Sequence, residues 1–353
     1  MPITYKNSFS AYCLPRRLYE GDRVMIISPS SEIASFPRRL KRGMEELYRL
    51  GLEPILAPNA LSIDGHRAGT PESRASDIMC AFCDKSIRGI FASTGGWNSN
   101  AVLPLLDYRA IRKNPKPLIG FSDITAILLA IVAQSRLVVF HGPTVLPTMG
   151  EADGMFDFSR THMRRVLFSD DILGELPEPT ESTEELLWWD LDDVRPRRLV
   201  KNEGRRCVRA GEAEGIILGG NLDTLTGIVG TEYWPESDHM ILLLEEESGN
   251  TAKLERDIQT LILKGAMECV NGLIFARPYR FTTLSEKRTL YDILRDVGDR
   301  FNIPVLADVS VGHTNPILTV PLGVRAYLNA TSGVICILEQ CTCADGGGCV
   351  SNI

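Results

Sequence analysis

The sequence predicts an α/β protein of two domains, and three observations carry that expectation. Short β-rich runs alternate with helix-period patterns through both halves of the chain, a pattern that builds a parallel sheet covered by helices on both faces. The chain has 353 residues, which at roughly 150 residues per domain gives two domains. Between residues 150 and 210 the alternation stops and then resumes. The expected division is therefore an N-terminal α/β domain over 1–165, a connecting segment over 166–210, a C-terminal α/β domain over 211–340 and a flexible tail over 341–353.

In the first half, Arg23 to Ile27 reads as a buried strand, followed by a helix in which Leu40, Met44, Leu47 and Tyr48 recur at helical spacing. Glu53 to Ala57 is a short strand, and Thr70-Pro71-Glu72 is a cap with proline at the first helical position. Next come a strand at Gly89 to Ala92, a helix near Ser99 to Leu106, a strand at Pro117 to Gly120, a helix from Asp123 to Gln134 and a strand at Leu137 to Phe140. The connecting segment carries ten acidic and no basic residues from Asp170 to Asp193, then a cationic run from Arg195 to Arg209. Its centre, Leu186-Leu187-Trp188-Trp189, is too apolar for a solvated linker. The second half predicts strands at Gly215 to Leu218, Met240 to Leu244, Gly272 to Phe275 and Pro304 to Ala307. Helices are expected after Asn221, around Leu254, Ile258, Leu261 and Ile262, and from Ser285 to Arg300, before a β-rich end over 317–338.

Composition excludes several classes. Lys and Arg number 38 against 45 Asp and Glu, a net charge of −7, which is the wrong sign for a nucleic-acid binder. A hydrophobic share of 44% excludes a disordered chain. The longest apolar run, Ile124 to Ala133, is ten residues, against the roughly 20 that a spanning helix needs. Met1 to Ser8 shows no secretory leader, so the expectation is a soluble cytoplasmic protein with no membrane partner. Nine cysteines, an odd count, argue against a disulfide framework. Cys80 and Cys83 share one helix face and read as packing; the run from Cys341 to Cys349 reads as a Gly-rich flexible tail rather than a chelator.

The sharpest local signal is Pro117-Leu118-Ile119-Gly120-Phe121-Ser122-Asp123-Ile124. A buried strand delivers a serine onto the start of an apolar helix, as in a nucleophile elbow. The second glycine of a hydrolase elbow is replaced by Ile124, and Ser122 or Asp123 also reads as a plain helix N-cap. A hydroxyl nucleophile needs a base. Among five histidines, His313 lies in the loop Gly312-His313-Thr314-Asn315-Pro316 after a buried strand, where sites of α/β folds collect. His141 is expected to bond structurally at a strand end, and His66, His162 and His239 to lie on the surface. Glu245, Glu246 and Glu247 leave the apolar strand at its C-terminal end, with Glu245 and Glu247 on one face and Glu246 on the other. The turn Ser93-Thr94-Gly95-Gly96-Trp97-Asn98-Ser99 lets backbone N–H groups approach a ligand, or serves only as a tight strand-to-helix turn.

Taken in order, these segments resemble the serine peptidase family of LD-carboxypeptidases and microcin C self-immunity proteins. The stretches are Gly21-Asp22-Arg23-Val24, Ser93-Thr94-Gly95-Gly96, Ile119-Gly120-Phe121-Ser122-Asp123, His141-Gly142-Pro143, Leu218-Gly219-Gly220-Asn221-Leu222, Leu243-Leu244-Glu245, Gly312-His313 and Pro321-Leu322-Gly323. The resemblance implies a Rossmann-like, amidotransferase-like N-terminal parallel-sheet domain with a nucleophile elbow, plus a C-terminal α/β domain. It implies a triad split between them: Ser122 as nucleophile, His313 as base and Glu245 as acid, with Glu246 open as an alternative to Glu245. The oxyanion hole would be the backbone N–H groups of Gly96 and Asp123. Substrate contacts would come from Trp188, Trp97 and Asn221, with no metal or organic cofactor and a homodimeric assembly.

The segment Glu184 to Asp190 resembles the Trp-bearing loop of the immunity branch, where an indole stacks on a purine. Trp188 is open between stacking and packing, whereas packing is expected of Trp189. The implied function is hydrolysis of the amide-type bond between an amino acid and a modified nucleotide, a microcin C-type detoxification. The alternatives are LD-carboxypeptidase action on murein tetrapeptides and non-catalytic binding of a small molecule.

Overall fold

The computed structural model describes residues 12–344. The N-terminal leader reading and the cysteine at 349 lie outside them. In the first half, strands β1 (Arg23–Ile27), β2 (Glu53–Leu56), β3 (Gly89–Ala92), β4 (Leu118–Gly120) and β5 (Val139–His141) alternate with helices α1 (Pro37–Arg49), α2 (Pro71–Cys83), α3 (Tyr108–Lys113), α4 (Thr125–Ser135) and α5 (Asp157–Leu167). The connecting stretch contributes short strands β6 (Gly174–Glu175), β7 (Glu181–Ser182), β8 (Val200–Lys201) and β9 (Arg206–Arg209). The second half runs β10 (Glu212–Asn221), α6 (Leu222–Thr226), β11 (Met240–Glu245), α7 (Thr251–Leu263), β12 (Val270–Ala276), α8 (Leu290–Phe301) and β13 (Val305–Val309). It ends with β14 (Val320–Leu322), β15 (Val324–Asn329) and β16 (Val334–Ile337).

These strands form a two-domain α/β architecture with two mixed sheets. The first has the order β14-β5-β4-β3-β1-β2, and the second β6-β16-β15-β10-β11-β12-β13-β9. Strands β1 to β5 are mutually parallel, as the alternation predicts. The sixth strand is a departure: β14 comes from the C-terminal half and pairs antiparallel with β5, Val320 opposite His141. In the second sheet β10 to β13 are parallel, and β9, β15 and β16 add antiparallel edges.

The lobes share their cores. Helix α4 is buried from Thr125 to Val132 on every side, so its uniform apolar run reflects contact with both lobes rather than a one-sided amphipathic helix. Ile127 and Leu128 belong to one continuous core with Leu218, Leu222 and Leu254 of the second half. Each such side chain contributes roughly 1.5–3 kcal/mol through burial, so the junction is held as firmly as a domain interior. The Thr125 hydroxyl accepts the backbone N–H of Asn221 at 3.0 Å, fixing the end of β10 against the start of α4.

Several expectations are corrected. Helix α3 occupies a stretch for which no element is predicted, and α5 lies where the alternation is expected to stop. Helix α3 is only six residues and is capped by Asp107, and the Arg164 and Arg165 pair obscures the apolar face of α5. His162 of α5, expected on the surface, is buried. Its Nδ1 accepts the Thr319 N–H at 3.1 Å, and burial pushes it down to about 4, so it is neutral at pH 7. Helix α8 starts at Leu290 rather than Ser285, because Thr289 and Asp292 form a capping box there. The tail expected to be flexible from 341 is docked at its start. Cys341 and Thr342 are buried, and Cys343 bonds through its backbone to Pro15 and Arg17 at 2.9 and 2.8 Å.

In the second sheet Gly219 has a φ of 131°, and a Cβ there would stand 1.9 Å from the Leu243 carbonyl oxygen. Gly219→Ala is therefore expected to cost about 3 kcal/mol or more, the range of severe steric substitutions. At Gly174 a Cβ meets nothing within 4 Å, and Gly174→Ala should cost only the roughly 1–2 kcal/mol of a left-handed alanine. Urea denaturation of the two variants checks the contrast.

Candidate active site

The carboxyl ends of β3, β4, β11 and β13 converge on one cleft. Strand β4 ends at Gly120, and Ser122 follows with φ of 62°, a sparsely populated backbone for a non-glycine residue. The turn after β3 approaches it so closely that a Cβ on Gly95 would lie 2.8 Å from the Ser122 Cβ and 3.3 Å from the Asp123 backbone nitrogen. Only glycine permits this juxtaposition. The Asp123 carboxylate is buried and accepts from the Ser30 hydroxyl and from the Ser99 N–H, tying together the loops that rim the cleft.

From the other lobe, the loop after β13 brings His313 to Ser122, with Nε2 3.2 Å from the hydroxyl oxygen. Nδ1 donates to Glu245 Oε2 at 2.7 Å. Glu245 ends β11, fully buried, directly opposite Asn221 in the β10–β11 register. Glu246 points to the other face and receives Lys253 Nζ at 2.9 Å. The alternation along the acidic triplet thus places Glu245 on the imidazole and Glu246 away from it. The ring is held between Phe121, 4.9 Å away edge-on, and Tyr279, stacked at 6.2 Å.

A residue that sequence reasoning missed also meets this imidazole. Glu247 Oε2 lies 3.1 Å from Nε2, the same nitrogen that faces Ser122. Burial pulls the His313 pKa down, but the charges and hydrogen bonds of Glu245 and Glu247 outweigh it and push it up to about 10. Burial would raise Glu247, yet its contact with His313 holds it below the ordinary carboxylate value. Glu246, buried and only partly compensated by Lys253, is pushed up to about 7. The period-2 alternation groups Glu247 with Glu245, which is the signal that could have found it. His141 is buried, with Nε2 against the Val311 carbonyl at 2.5 Å, and burial holds its pKa down. His66 and His239 are exposed.

The cleft has two arms. One, of about 490 Å³, is lined by Ser122, His313, Phe36, Trp188, Tyr279 and Arg197. The other, of about 400 Å³, runs from Ser122 past Trp97 and Asn221 to Asp223, Glu246 and Lys253. Trp188 is 60% exposed, whereas Trp189 packs edge-on against Phe36 at 5.3 Å beneath the Arg39 guanidinium. Trp97 is exposed, and the Asn221 side-chain oxygen is engaged in capping α6. Among the described residues, no cluster of three His, Cys, Asp or Glu side chains is placed to hold a metal ion, and no helix is long and apolar enough to cross a membrane.

The Trp-bearing loop is clamped to the first lobe by ions that the sequence separates by some 150 residues. Asp190 accepts the N–H groups of Arg38 and Arg39 at 2.8 and 2.9 Å, capping α1, whose own N-cap residue Phe36 supplies no side-chain bond. Arg39, itself buried, donates to Asp193 at 2.9 Å and to Glu151 at 2.7 Å.

The fold and this cleft define a two-lobed serine peptidase. A family model described as the LD-carboxypeptidase N-terminal domain matches residues 24–142, and one for the LD-carboxypeptidase C-terminal domain matches 214–328. The chain belongs to the LD-carboxypeptidase family and is a serine hydrolase. Among its relatives, the microcin C7 self-immunity protein MccF of Escherichia coli is 35% identical over 327 residues, covering 91% of this chain and 94% of that protein. The murein tetrapeptide carboxypeptidase of Pseudomonas aeruginosa is 26% identical, with 87% and 92% covered. The solved structure of MccF in complex with glutamyl sulfamoyl guanosine superposes with a TM-score of 0.88 at 33% identity, covering 94% of this chain and 99% of that one. An MccF-like protein from Bacillus anthracis str. Ames gives 0.83 at 31% identity, with 93% and 99% covered.

Asp193→Ala removes one partner of a buried ion pair and is expected to cost the Trp-bearing loop about 3 kcal/mol of local stability. Amide hydrogen exchange over 186–193 should then accelerate by roughly 100-fold, the equivalent of that free energy, while exchange in β4 stays unchanged.

Proposed function

We propose that this protein hydrolyses the amide-type bond joining an amino acid to a modified nucleotide, detoxifying microcin C-type aminoacyl-nucleotides in the cytoplasm. The first lobe is read as Rossmann-like and amidotransferase-like, with Ser122 on its elbow. Ser122 attacks the acyl carbonyl, and its proton passes to Nε2 of His313. Glu245 holds the ring through Nδ1 and stabilises the imidazolium. The backbone N–H groups of Asp123 and Gly96 receive the oxyanion. His313 then returns the proton to the leaving nitrogen, and water, activated by the same imidazole, releases the amino acid from the acyl-enzyme. Base action requires an unprotonated Nε2, so the Glu247 contact must give way as substrate seats.

The observation that carries the nucleotide reading is Trp188. Its indole is mostly exposed although it lines the cleft arm that contains Ser122, beside a Trp189 that already packs against Phe36 and Arg39. An unpacked indole on a cleft wall suits a purine face, and such stacking is worth roughly 1–3 kcal/mol per base. MccF, the relative at 35% identity, has been solved with aminoacyl sulfamoyl nucleosides, which supports the same substrate class.

Side-by-side turnover of an aminoacyl sulfamoyl adenosine and a murein tetrapeptide tests the reading. The nucleotide should be hydrolysed and the tetrapeptide left intact. Ser122→Ala should lower kcat by roughly 10⁴-fold or more while leaving folding and binding in place. Trp188→Ala should raise KM by about tenfold, the equivalent of about 1.4 kcal/mol of stacking. Efficient tetrapeptide cleavage without nucleotide turnover would reverse the assignment.

A further inference from the structure

The two arms of the cleft differ in chemistry, and they meet at Ser122, Gly96 and Glu247. One is aromatic, holds Trp188 and carries arginines and glutamates in equal number. The other is polar and is bordered by Asp223, Glu246 and Glu247, with Lys253 at its floor. With the leaving nucleotide in the first arm, the acyl amino acid occupies the second.

Counting donors shows what that second arm accepts. An ammonium group has three N–H donors. Lys253 Nζ lies 3.0 Å from Asp223, 2.9 Å from Glu246 and 2.9 Å from Asp257, so all three donors have carboxylate partners and none is left for a substrate carboxylate. The carboxylates, by contrast, retain capacity. Glu246 is 2% exposed, yet its Oε2 has no hydrogen-bond partner. A buried carboxylate oxygen without a donor is a group that a bound cation would satisfy. Asp223 and Glu247 have side chains 36% and 44% exposed and border the same space.

We propose that this arm is an acyl subsite for a basic amino acid, in which Glu247 takes the α-ammonium and Asp223 with Glu246 takes the cationic side chain. The inference rests on the hydrolase reading above, which sets Ser122 at the carbonyl. Glu247 is the right group for the α-ammonium because it already lies beside the imidazole nitrogen that faces Ser122. Drawing Glu247 onto the substrate takes its charge away from Nε2, that nitrogen releases its proton to water, and its lone pair then accepts the Ser122 proton. An acidic side chain in the same arm would face the carboxylates of Asp223, Glu246 and Glu247, the like-charged groups that border it.

The test compares kcat/KM for lysyl and glutamyl sulfamoyl adenosine. The lysyl compound should be favoured by at least tenfold. Asp223→Asn should reduce its kcat/KM by about tenfold, chiefly through KM. Equal rates, or a preference for the glutamyl compound, would overturn the subsite. If no aminoacyl-nucleotide is turned over, the functional reading fails by itself. The subsite is then judged by calorimetric binding of lysinamide and glutamic acid α-amide to Ser122→Ala: lysinamide tighter by tenfold sustains it, and equal or weaker binding overturns it.

Discussion

His313 reaches from one lobe to Ser122 on the other, and the 3.2 Å between them is set by the core that both lobes share. Neither residue is held by its own loop alone. Ser122 is fixed by its left-handed backbone, by the Gly95 turn pressed against it and by the buried carboxylate of Asp123. His313 is fixed by Glu245 at the end of β11 and by the rings of Phe121 and Tyr279. Helix α4 connects the two frames because it is buried on all sides between them. A hinge at this junction would have to break a continuous apolar core, so proton-transfer geometry is built into the folded state rather than assembled by domain closure.

The same imidazole sits between two acids. Two carboxylates touch it, one on each nitrogen, and together they favour the imidazolium. The acidic arm beside it and the aromatic, charge-balanced arm opposite give the cleft a polarity along its length, which orients a ligand having unlike ends.

Much of this was legible in the sequence, and the reasons are local. Strand β4 ending in Gly120 and Ser122, strand β11 ending in Glu245, and the loop carrying His313 each announce themselves through an apolar run and its break. In the sequence only their order along the chain links them. What was not legible is long-range. The return of β14 to the first sheet is a three-residue strand beside β5, too short for any period to mark. The Arg39–Asp193 clamp joins residues 154 apart, and each reads alone as a solvated charge. His162 is buried by Phe158, stacked at 6.5 Å, and by the β14 approach, which its Arg-rich neighbours conceal. Glu247 was grouped correctly by alternation, but its competition with Ser122 for one nitrogen depends on side-chain reach that spacing does not encode.

The central claim is that the Ser122 hydroxyl is activated across the lobe interface by His313, and covalent trapping tests it most directly. Treatment with a fluorophosphonate followed by peptide mass spectrometry should place a single adduct on Ser122. His313→Gln should slow that labelling by roughly 10³-fold or more, as loss of a general base does in serine hydrolases. An unmodified Ser122 in hydrolytically active protein, or labelling of His313→Gln at the unaltered rate, would contradict the account.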